Sequence, residues 1–211
     1  MTSANSVSVK QRNSRGLPWL VGRWWFWALA ISILFAQPIV RTLLRPPPIL
    51  PKVYGRLSEF KLTREDGRTF GSDNLKGKVW VASFIALSDA HAAEKMEGMM
   101  HQLHRRLRKL GDSFRLVTFT VDPSHDSAPL LAAYSQAHLT NQRIWSYVTG
   151  DRATLESIVS NVFKVQMGPS ADGAPFVLVD GDGQFRGAYH PEDQDGMNSL
   201  VGDVGLLVNN Y

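Results

Sequence analysis

The sequence predicts an α/β fold in which a mostly parallel, mixed sheet carries helices on both faces and is preceded by one transmembrane helix. Strand-type and helix-type segments alternate from residue 54 onward, and one apolar run among them is typical of a buried central strand. The last three segments are two strands and a helix, which makes the sheet mixed. Near the N-terminus, a run of 17 residues without a charge indicates the membrane segment.

The uncharged run extends from Trp24 to Val40, about 25 Å of helix against a hydrocarbon core of roughly 30 Å. Starting the helix at Leu17 lengthens it, with the Arg23 side chain reaching back to the headgroups. Four tryptophans would form an aromatic belt at its N-terminal end: Trp19, Trp24, Trp25 and Trp27. A cleaved signal peptide is the alternative, but no small-residue cleavage site follows the run, so we favour an uncleaved anchor.

The positive charge is concentrated before the folded part. The chain carries a net charge of +4, but residues 1–56 hold eight basic residues and no acid. The remaining 15 basic and 19 acidic residues give the folded part a net charge of −4. A basic segment beside an apolar one predicts contact with membrane lipid and no binding of nucleic acid. Basic residues flank the run on both sides with a slight excess before it, which favours an inner (cytoplasmic) membrane protein with its domain on the periplasmic side.

These features divide the chain into four segments. Residues 1–16 form a basic tail, 17–44 the transmembrane anchor, 45–53 a proline-rich spacer and 54–211 the folded domain. Consecutive prolines favour an extended, stiff backbone, so the spacer is expected to hold the domain away from the bilayer.

The first half of the domain predicts a hairpin, a central strand and a long helix. Residues 58–62 alternate as a short strand, 65–68 form a turn, and 69–70 form the return strand. The apolar run Val79–Ile85 predicts a strand buried on both faces. A helix from about Ala90 to Leu110 follows, and we interpret its apolar stripe as core packing and not as a copper-thioether site: Met96, Met99, Met100, Leu103 and Leu107.

The second half predicts strands at 115–121, 144–148, 176–179 and 184–189, and helices at about 128–138, 152–161 and 194–208. Ser127 is the expected N-cap of the first of these helices, with Pro129 in its first turn. The last two strands are joined by the turn Asp180–Gly183. Asp180 and Asp182 also suggest a calcium loop, but the ligand pattern is incomplete and turn chemistry explains them.

With these elements in order, the sequence resembles the SCO/SenC family of copper proteins, which have a thioredoxin-like fold and serve cytochrome c oxidase assembly. The resemblance covers about residues 54–208. A fairly specific feature is Val121-Asp122-Pro123 with Asp126, followed by a capped helix. It also rests on these segments: LKGKVWVASFIALS, LHRRLRKLGD, LVTFTVDPSHDSAPLLAAYSQAH, WSYVTGD and FVLVDGDGQFRGAY.

The resemblance implies a copper site whose ligands this chain lacks. The family uses C-x-x-x-C at the end of the first central strand and a histidine before the FVLVD-like strand. Aligned without gaps, Asp89 and Ala93 stand at the cysteine positions, and Asp172 stands near the histidine position. The chain contains no cysteine at all, which excludes disulfides, thiolate ligands and cysteine nucleophiles. The resemblance therefore implies the fold and the membrane context, but no copper cofactor.

Asp89, His91 and Asp172 are the candidate residues of a rebuilt site for a harder ion or Cu(II), with oxygen and nitrogen ligands. The simpler interpretation, which we favour, makes Asp89 or Ser88 the N-cap of the long helix and His91 a surface residue of its first turn.

Two further histidines have a spacing that can bind metal. His101 and His104 lie at i and i+3 on the long helix, but we favour the interpretation that they belong to a solvated helix face beside Arg105 and Arg106. The sequence contains no P-loop and no G-x-S-x-G motif, so no catalytic residues are assigned.

Two functions remain open from the sequence. The first is a non-enzymatic binding or scaffolding protein at the membrane, whose partners are respiratory oxidase subunits or assembly factors, as the resemblance implies. The second is metal handling through the rebuilt site. Thiol peroxidase or disulfide reductase activity shares the fold but needs cysteines.

Overall fold

The computed structural model describes residues 24–43 and 50–210. The chain divides into two compact units, 1–48 and 49–211. Within the first unit, helix α1 extends over Trp24–Leu43 and exposes apolar side chains, among them Trp24 (83% exposed), Leu34 and Phe35. In the parts of the chain that the structure describes, no helix is both long enough and apolar enough to cross a membrane. The transmembrane helix predicted over 17–44 is not confirmed, and residues 17–23 and 44 lie outside the described residues.

The second unit is built on one mixed sheet of eight strands in the described residues, in the order β1-β8-β7-β4-β5-β6-β2-β3. The strands are β1 (Gly55–Arg56), β2 (Lys61–Arg64), β3 (Thr69–Gly71), β4 (Val79–Ile85), β5 (Phe114–Thr120), β6 (Trp145–Thr149), β7 (Phe176–Val179) and β8 (Gln184–Tyr189). The helices are α2 (Ser72–Leu75), α3 (Ala90–Leu107), α4 (Ala128–Ala137), α5 (Arg152–Val159) and α6 (Gln194–Val208), with a 3-10 helix at Arg108–Ser113.

The centre of the sheet confirms the predicted α/β class, but the prediction of a mostly parallel sheet is wrong. Within the described residues only β4 with β5 and β5 with β6 pair in parallel, and the other five pairings are antiparallel. Strand β4 pairs in parallel with β5 along its whole length, from Val79 opposite Phe114 to Ile85 opposite Thr120, and antiparallel with β7. All seven residues of β4 are buried, and because neighbouring side chains point to opposite faces, both faces of this strand are covered. The predicted bounds of β4, β7, β8 and α6 agree with the structure.

A cluster of aromatic rings fills the core beside β4 and β5. Phe119 lies 6.2 Å from Trp80 and 6.2 Å from Phe84, measured between ring centroids. The Phe163 ring meets Phe84 edge-on at 5.9 Å and Phe119 at 6.0 Å. Tilted and edge-on pairs at these distances add about 0.5–1.5 kcal/mol each beyond the burial of their area. The sheet is therefore held by aromatic packing across its central strands.

Helix α3 confirms the interpretation of its methionines. Met96 and Met100 are buried in the core with Leu103 and Leu107, and Met99 packs against that core. The helix ends at Leu107, three residues before the predicted end, and continues as the 3-10 helix.

The cap of α4 differs in detail from the prediction. Ser127 occupies the N-cap position with extended backbone, and a proline lies in the first turn, as expected. The Ser127 side chain makes no capping hydrogen bond. The sequence pattern therefore predicted where the helix starts, but the hydrogen bond expected from a serine N-cap is not formed.

Both edges of the sheet differ from the prediction. The N-terminal hairpin forms, but its first strand begins at Lys61 and not at residue 58. Through β2 the hairpin also pairs antiparallel with β6, where Arg64 lies opposite Val148. At the other edge, the two-residue strand β1 pairs with β8 and was not predicted, because two residues are too few to form a pattern.

The turn between β7 and β8 is organised by one buried carboxylate. Asp180 is fully buried and accepts hydrogen bonds from the backbone N–H groups of Asp182 (3.0 Å) and Gln184 (2.8 Å). Its second oxygen accepts from the Arg186 Nε at 2.6 Å. Gly183 has φ of 73°, which favours glycine. The turn interpretation is therefore confirmed, and Asp180 is the residue that closes the hairpin.

Gly196 of helix α6 is expected to tolerate no side chain. A Cβ atom built there would lie 2.4 Å from the backbone oxygen of His190, closer than any real contact. We expect Gly196→Ala to lower the free energy of unfolding by about 1–3 kcal/mol, as overpacking does. Gly202→Ala in the same helix is the matched control, because open space surrounds its position. It should stabilise the protein by about 1 kcal/mol through helix propensity. Denaturant unfolding measures the free energy of unfolding of both variants. Equal changes in the two variants would contradict the packing argument.

Candidate functional site

The candidate site lies at the carboxyl ends of β4 and β5. The segment after β4 leads into α3, the segment after β5 leads into α4, and residues 166–175 pass beside both. The Gly168 N–H donates to the Val121 oxygen at 2.9 Å, which ties the third segment to the end of β5. We call Ser88, Asp89, Asp122, Ser170 and Asp172 the loop cluster.

Asp89 is the N-cap of α3. One of its carboxylate oxygens accepts from the Ala92 backbone N–H at 3.1 Å, and the other accepts from the Ser170 hydroxyl at 2.6 Å. The Ser170 hydroxyl, followed by the Ala92 N–H, lowers the pKa of Asp89 from its ordinary value. The carboxylate is therefore a charged cap that joins the helix to the loop, which agrees with the interpretation favoured from the sequence.

Asp172 is brought to the same hydroxyl. Its backbone N–H donates to the Ser170 Oγ at 3.1 Å. Its side chain accepts from the Lys95 Nζ at 3.1 Å, and Lys95 also lies 2.8 Å from Glu192. The two acids raise the pKa of Lys95, with Glu192 contributing more. Asp172 is thus oriented toward an exposed lysine of α3.

Asp122 anchors the other side of the cluster. Its carboxylate accepts from the Ser124 hydroxyl at 2.5 Å and lies 2.7 Å from the Nδ1 of His125. Ser88 reaches it at 3.4 Å and also donates to the Pro169 oxygen at 3.0 Å. Donation by Ser124 lowers the pKa of Asp122, an effect that exceeds the opposing effect of burial.

Asp126 is a residue of this region that sequence analysis did not assign a role. It is fully buried, and its carboxylate accepts hydrogen bonds from the Thr120 hydroxyl at 2.5 Å and from the Leu87 backbone N–H at 3.2 Å. Burial raises the pKa of Asp126. It therefore links the loop after β5 to the loop after β4, and the signal for it was the fixed spacing in the VDP segment.

His91 lies exposed in the first turn of α3, as the simpler interpretation predicted. Within residues 24–43 and 50–210, no group of three or more histidine, aspartate or glutamate side chains is arranged to hold a metal ion. The structure thus brings the Asp89 carboxylate and the Asp172 backbone to one hydroxyl. His91 lies near enough to Asp89 to contribute to its lowered pKa, but it completes no group of three ligands in the described residues. The Ala93 side chain, at the other cysteine position, is 2% exposed and belongs to the core.

The donor set does not fit Cu(I). The three positions that correspond to the family's ligands present a carboxylate, a methyl group and a second carboxylate. Cu(I) is a soft ion that is held by thiolates, thioethers and imidazole, and carboxylates suit harder ions. The copper site that the resemblance implies is therefore not supported by these residues.

The solvated-face interpretation of the two helix histidines is wrong for His101. Its ring meets Trp145 edge-on at 5.1 Å, and its Nε2 lies 3.4 Å from the Glu97 carboxylate. His104 is half-buried, and burial lowers its pKa. Both histidines therefore belong to the packing of α3.

Glu97 is a buried acid beneath α3. It is 3% exposed, accepts from the Tyr147 hydroxyl at 2.6 Å, and lies 3.4 Å from the Thr140 hydroxyl. Burial is the main cause that raises the pKa of Glu97 above 4.5, against the opposing hydrogen bond from Tyr147. Burial, followed by proximity to Glu97, raises the pKa of Tyr147. These contacts fasten α3 to β6.

The raised pKa of Glu97 predicts a pH-dependent stability. The folded state holds this proton more firmly than the unfolded state, so Glu97 stabilises the fold most at low pH and loses that contribution as the pH rises through the folded pKa. Glu97→Gln keeps a hydrogen-bond acceptor for Tyr147 without titrating. We therefore expect its free energy of unfolding, relative to the unmodified protein, to increase between pH 4 and pH 7. Glu94→Gln, an exposed position on α3, is the control, and a difference that shrinks with pH would contradict the assignment.

The comparisons with known proteins agree with this geometry. The SCO1/SenC family model matches residues 54–200. The SCO1 protein homolog of Bacillus subtilis is 24% identical over 152 residues, which cover 69% of this chain and 79% of that protein.

Solved structures give the same result. A SCO1/SenC family lipoprotein from Bacillus anthracis is 26% identical, with a TM-score of 0.67 over 75% of this chain and 99% of that one. BsSco, described as a member of the Sco family of cytochrome c oxidase assembly proteins, has a TM-score of 0.63 at 22% identity over 77% of this chain and 100% of that one. Bradyrhizobium japonicum ScoI, solved with copper bound, has a TM-score of 0.57 at 17% identity, covering 75% and 99%. The chain therefore belongs to the SCO1/SenC family.

Proposed function

We propose that the protein is a membrane-anchored, non-catalytic binding or assembly factor linked to cytochrome c oxidase biogenesis. Family membership supports the link, because a member of similar fold is described as a cytochrome c oxidase assembly protein. The observation that carries the proposal is the chemistry at the family's ligand positions, where Asp89 caps a helix and Ala93 is buried. A domain that keeps the fold without the soft ligands acts through its surface.

The proposal predicts partner binding that is independent of copper. The full chain, purified in mild detergent, should retain oxidase subunits or assembly factors from membranes of its source, and a Cu(I) chelator should leave this retention unchanged. A matched sample of the chain unfolded by heat and then cooled controls for adhesion to the resin. A free monomer with no retained oxidase component, or retention abolished by the chelator, would count against the proposal.

Membrane attachment through residues 17–44 is the second part of the proposal. It is supported by the uncharged run in the sequence and by the exposed apolar side chains of α1, such as Ile33 and Phe35. We expect the domain to lie on the periplasmic side of the inner membrane. Membranes washed with alkaline carbonate should keep the chain, and protease added to the periplasm should degrade the domain. Release by carbonate, or protection from the protease, would contradict this part.

A rebuilt metal site at Asp89, His91 and Asp172 is the alternative function. The observation that favours it is Ser170, which contacts Asp89 and the Asp172 backbone and so brings two carboxylates near the start of α3. Binding of Cu(II) would require His91 to join them. In that case His91→Ala abolishes stoichiometric binding, while His190→Ala, at an exposed histidine outside the cluster, leaves it unchanged.

A further inference from the structure

A small cavity lies at the end of the sheet opposite to the loop cluster. Its volume is about 180 Å³, and it is bordered by residues at the amino ends of the central strands. Lys78 directly precedes β4, Arg115 is the second residue of β5, and Arg143 lies two residues before β6. Since the loop cluster lies at the carboxyl ends of β4 and β5, the cavity is a separate site.

The lining of this cavity is one-sided in charge. Among the described residues, four cations border it and no acid does: Arg64, Lys78, Arg115 and Arg143. Acids outside the lining neutralise part of this charge. The Asp112 carboxylate forms ion pairs with two guanidinium groups, at 2.9 Å from Arg143 and 3.8 Å from Arg115. Arg64 in turn lies 3.2 Å from Glu65 and 3.8 Å from Asp66. All three arginines therefore have an acid nearby, and the excess positive charge at the cavity is that of Lys78.

Lys78 supplies that excess. Its side chain is half-buried, and within residues 50–210 it has no ion pair or side-chain hydrogen bond. An ammonium group without an acid partner favours an anionic ligand, because the ligand supplies the missing opposite charge.

Two arginines beside it are held in fixed orientations. The Arg115 Nη1 donates to the Phe114 oxygen at 2.7 Å, and the Arg64 Nη2 donates to the Gln142 oxygen at 2.9 Å. These backbone oxygens orient the two guanidinium groups, whose charges are partly balanced by Asp112 and by Glu65 with Asp66. A planar guanidinium that is already oriented loses less freedom when it binds an anion.

Ser146 contributes a hydroxyl group to the lining of the cavity. Its residue is 7% exposed and lines the cavity from β6, yet its hydroxyl has no hydrogen bond in the described residues. The hydroxyl is therefore available to donate to a group that enters the cavity. An oxyanion in the cavity would accept from both Ser146 and the cations.

We propose that this cavity binds a small phosphate-bearing anion. Its volume is suited to a phosphate group with few further atoms. Lys78, which has no acid partner, lines it together with three arginines and one hydroxyl donor, which is the chemistry that recognises phosphate oxygens. The phosphate is either free or carried by a glycerol phosphate headgroup.

Calorimetric titration of the full chain in detergent tests the proposal, with inorganic phosphate and glycerol 3-phosphate as the probes. Lys78→Gln should weaken saturable binding by roughly tenfold and Ser146→Ala by roughly threefold, since tenfold corresponds to about 1.4 kcal/mol. Lys76→Gln, an exposed lysine two residues away that does not line this cavity, is the matched control and should change nothing.

The two probes separate the two sources. Tighter binding of inorganic phosphate indicates free phosphate, and tighter binding of glycerol 3-phosphate indicates a headgroup. No saturable binding of either probe by the unmodified chain would overturn the proposal. An equal loss in Lys76→Gln and Lys78→Gln would also overturn it, because the effect would then be one of net charge. Circular dichroism confirms that each variant is folded.

Discussion

The triple variant Asp89→Cys, Ala93→Cys, Asp172→His is expected to bind Cu(I) with an affinity at least roughly a thousandfold above that of the unmodified chain, about 4 kcal/mol. Positions 89 and 93 lie one helical turn apart, since the Ala93 N–H donates to the Asp89 oxygen at 2.9 Å. Two thiolates at the start of α3 would be stabilised by the helix N-terminus, and Asp172 lies beside them through Ser170. Competition with a chromogenic Cu(I) chelator measures the gain.

A control variant tests whether the position of the two cysteines matters, or only their presence on α3. Glu94→Cys, Gly98→Cys has the same spacing on exposed positions of α3, but lies away from the Ser170 loop. It should bind Cu(I) more weakly than the triple variant. Equal Cu(I) affinities of the two variants would show that the loop cluster does not supply the geometry of the family's site. A folded triple variant that binds Cu(I) no more tightly than the unmodified chain would lead to the same conclusion.

Asp180→Ala is expected to lower the free energy of unfolding by about 3–5 kcal/mol, the usual effect of removing one partner of a buried ion pair. The substitution leaves the Arg186 guanidinium, whose side chain is 13% exposed, without its 2.6 Å partner. It also removes the acceptor for two backbone N–H groups of the turn. Because Arg186 also donates to the Pro51 oxygen at 2.9 Å, the attachment of the segment before β1 should loosen as well.

Denaturant unfolding measures this effect, and amide hydrogen exchange at β8 and β1 locates it. Asp182→Ala removes an exposed carboxylate from the same turn and should change the free energy of unfolding by less than about 1 kcal/mol. A loss that is equal in the two variants would contradict the role assigned to Asp180.

The elements that the sequence predicted well are those with a local pattern. The unbroken apolar run of β4 and the turn chemistry at Asp180 each contain their own evidence, and both agree with the structure. The edges of the sheet do not have such a pattern. The pairing of β1 with β8 and of β2 with β6 joins residues far apart in sequence, so no window along the chain predicts it.

The same distinction holds for the candidate site. Asp89 could be predicted as a cap because the start of a helix follows it directly. The contact of Ser170 with Asp89 and the packing of His101 on Trp145 could not, since each depends on how distant segments meet. The cation-lined cavity was missed for that reason as well: its lysine and arginines come from four separate places in the chain.

A copper titration of the full chain tests the central claim most directly, with Cu(I) and Cu(II) followed by calorimetry and thermal shift. The account predicts a folded protein that binds neither ion stoichiometrically, since the family's ligand positions hold Asp89, Ala93 and Asp172. Stoichiometric binding that disappears in His91→Ala would contradict it and establish a rebuilt metal site in place of a partner-binding surface.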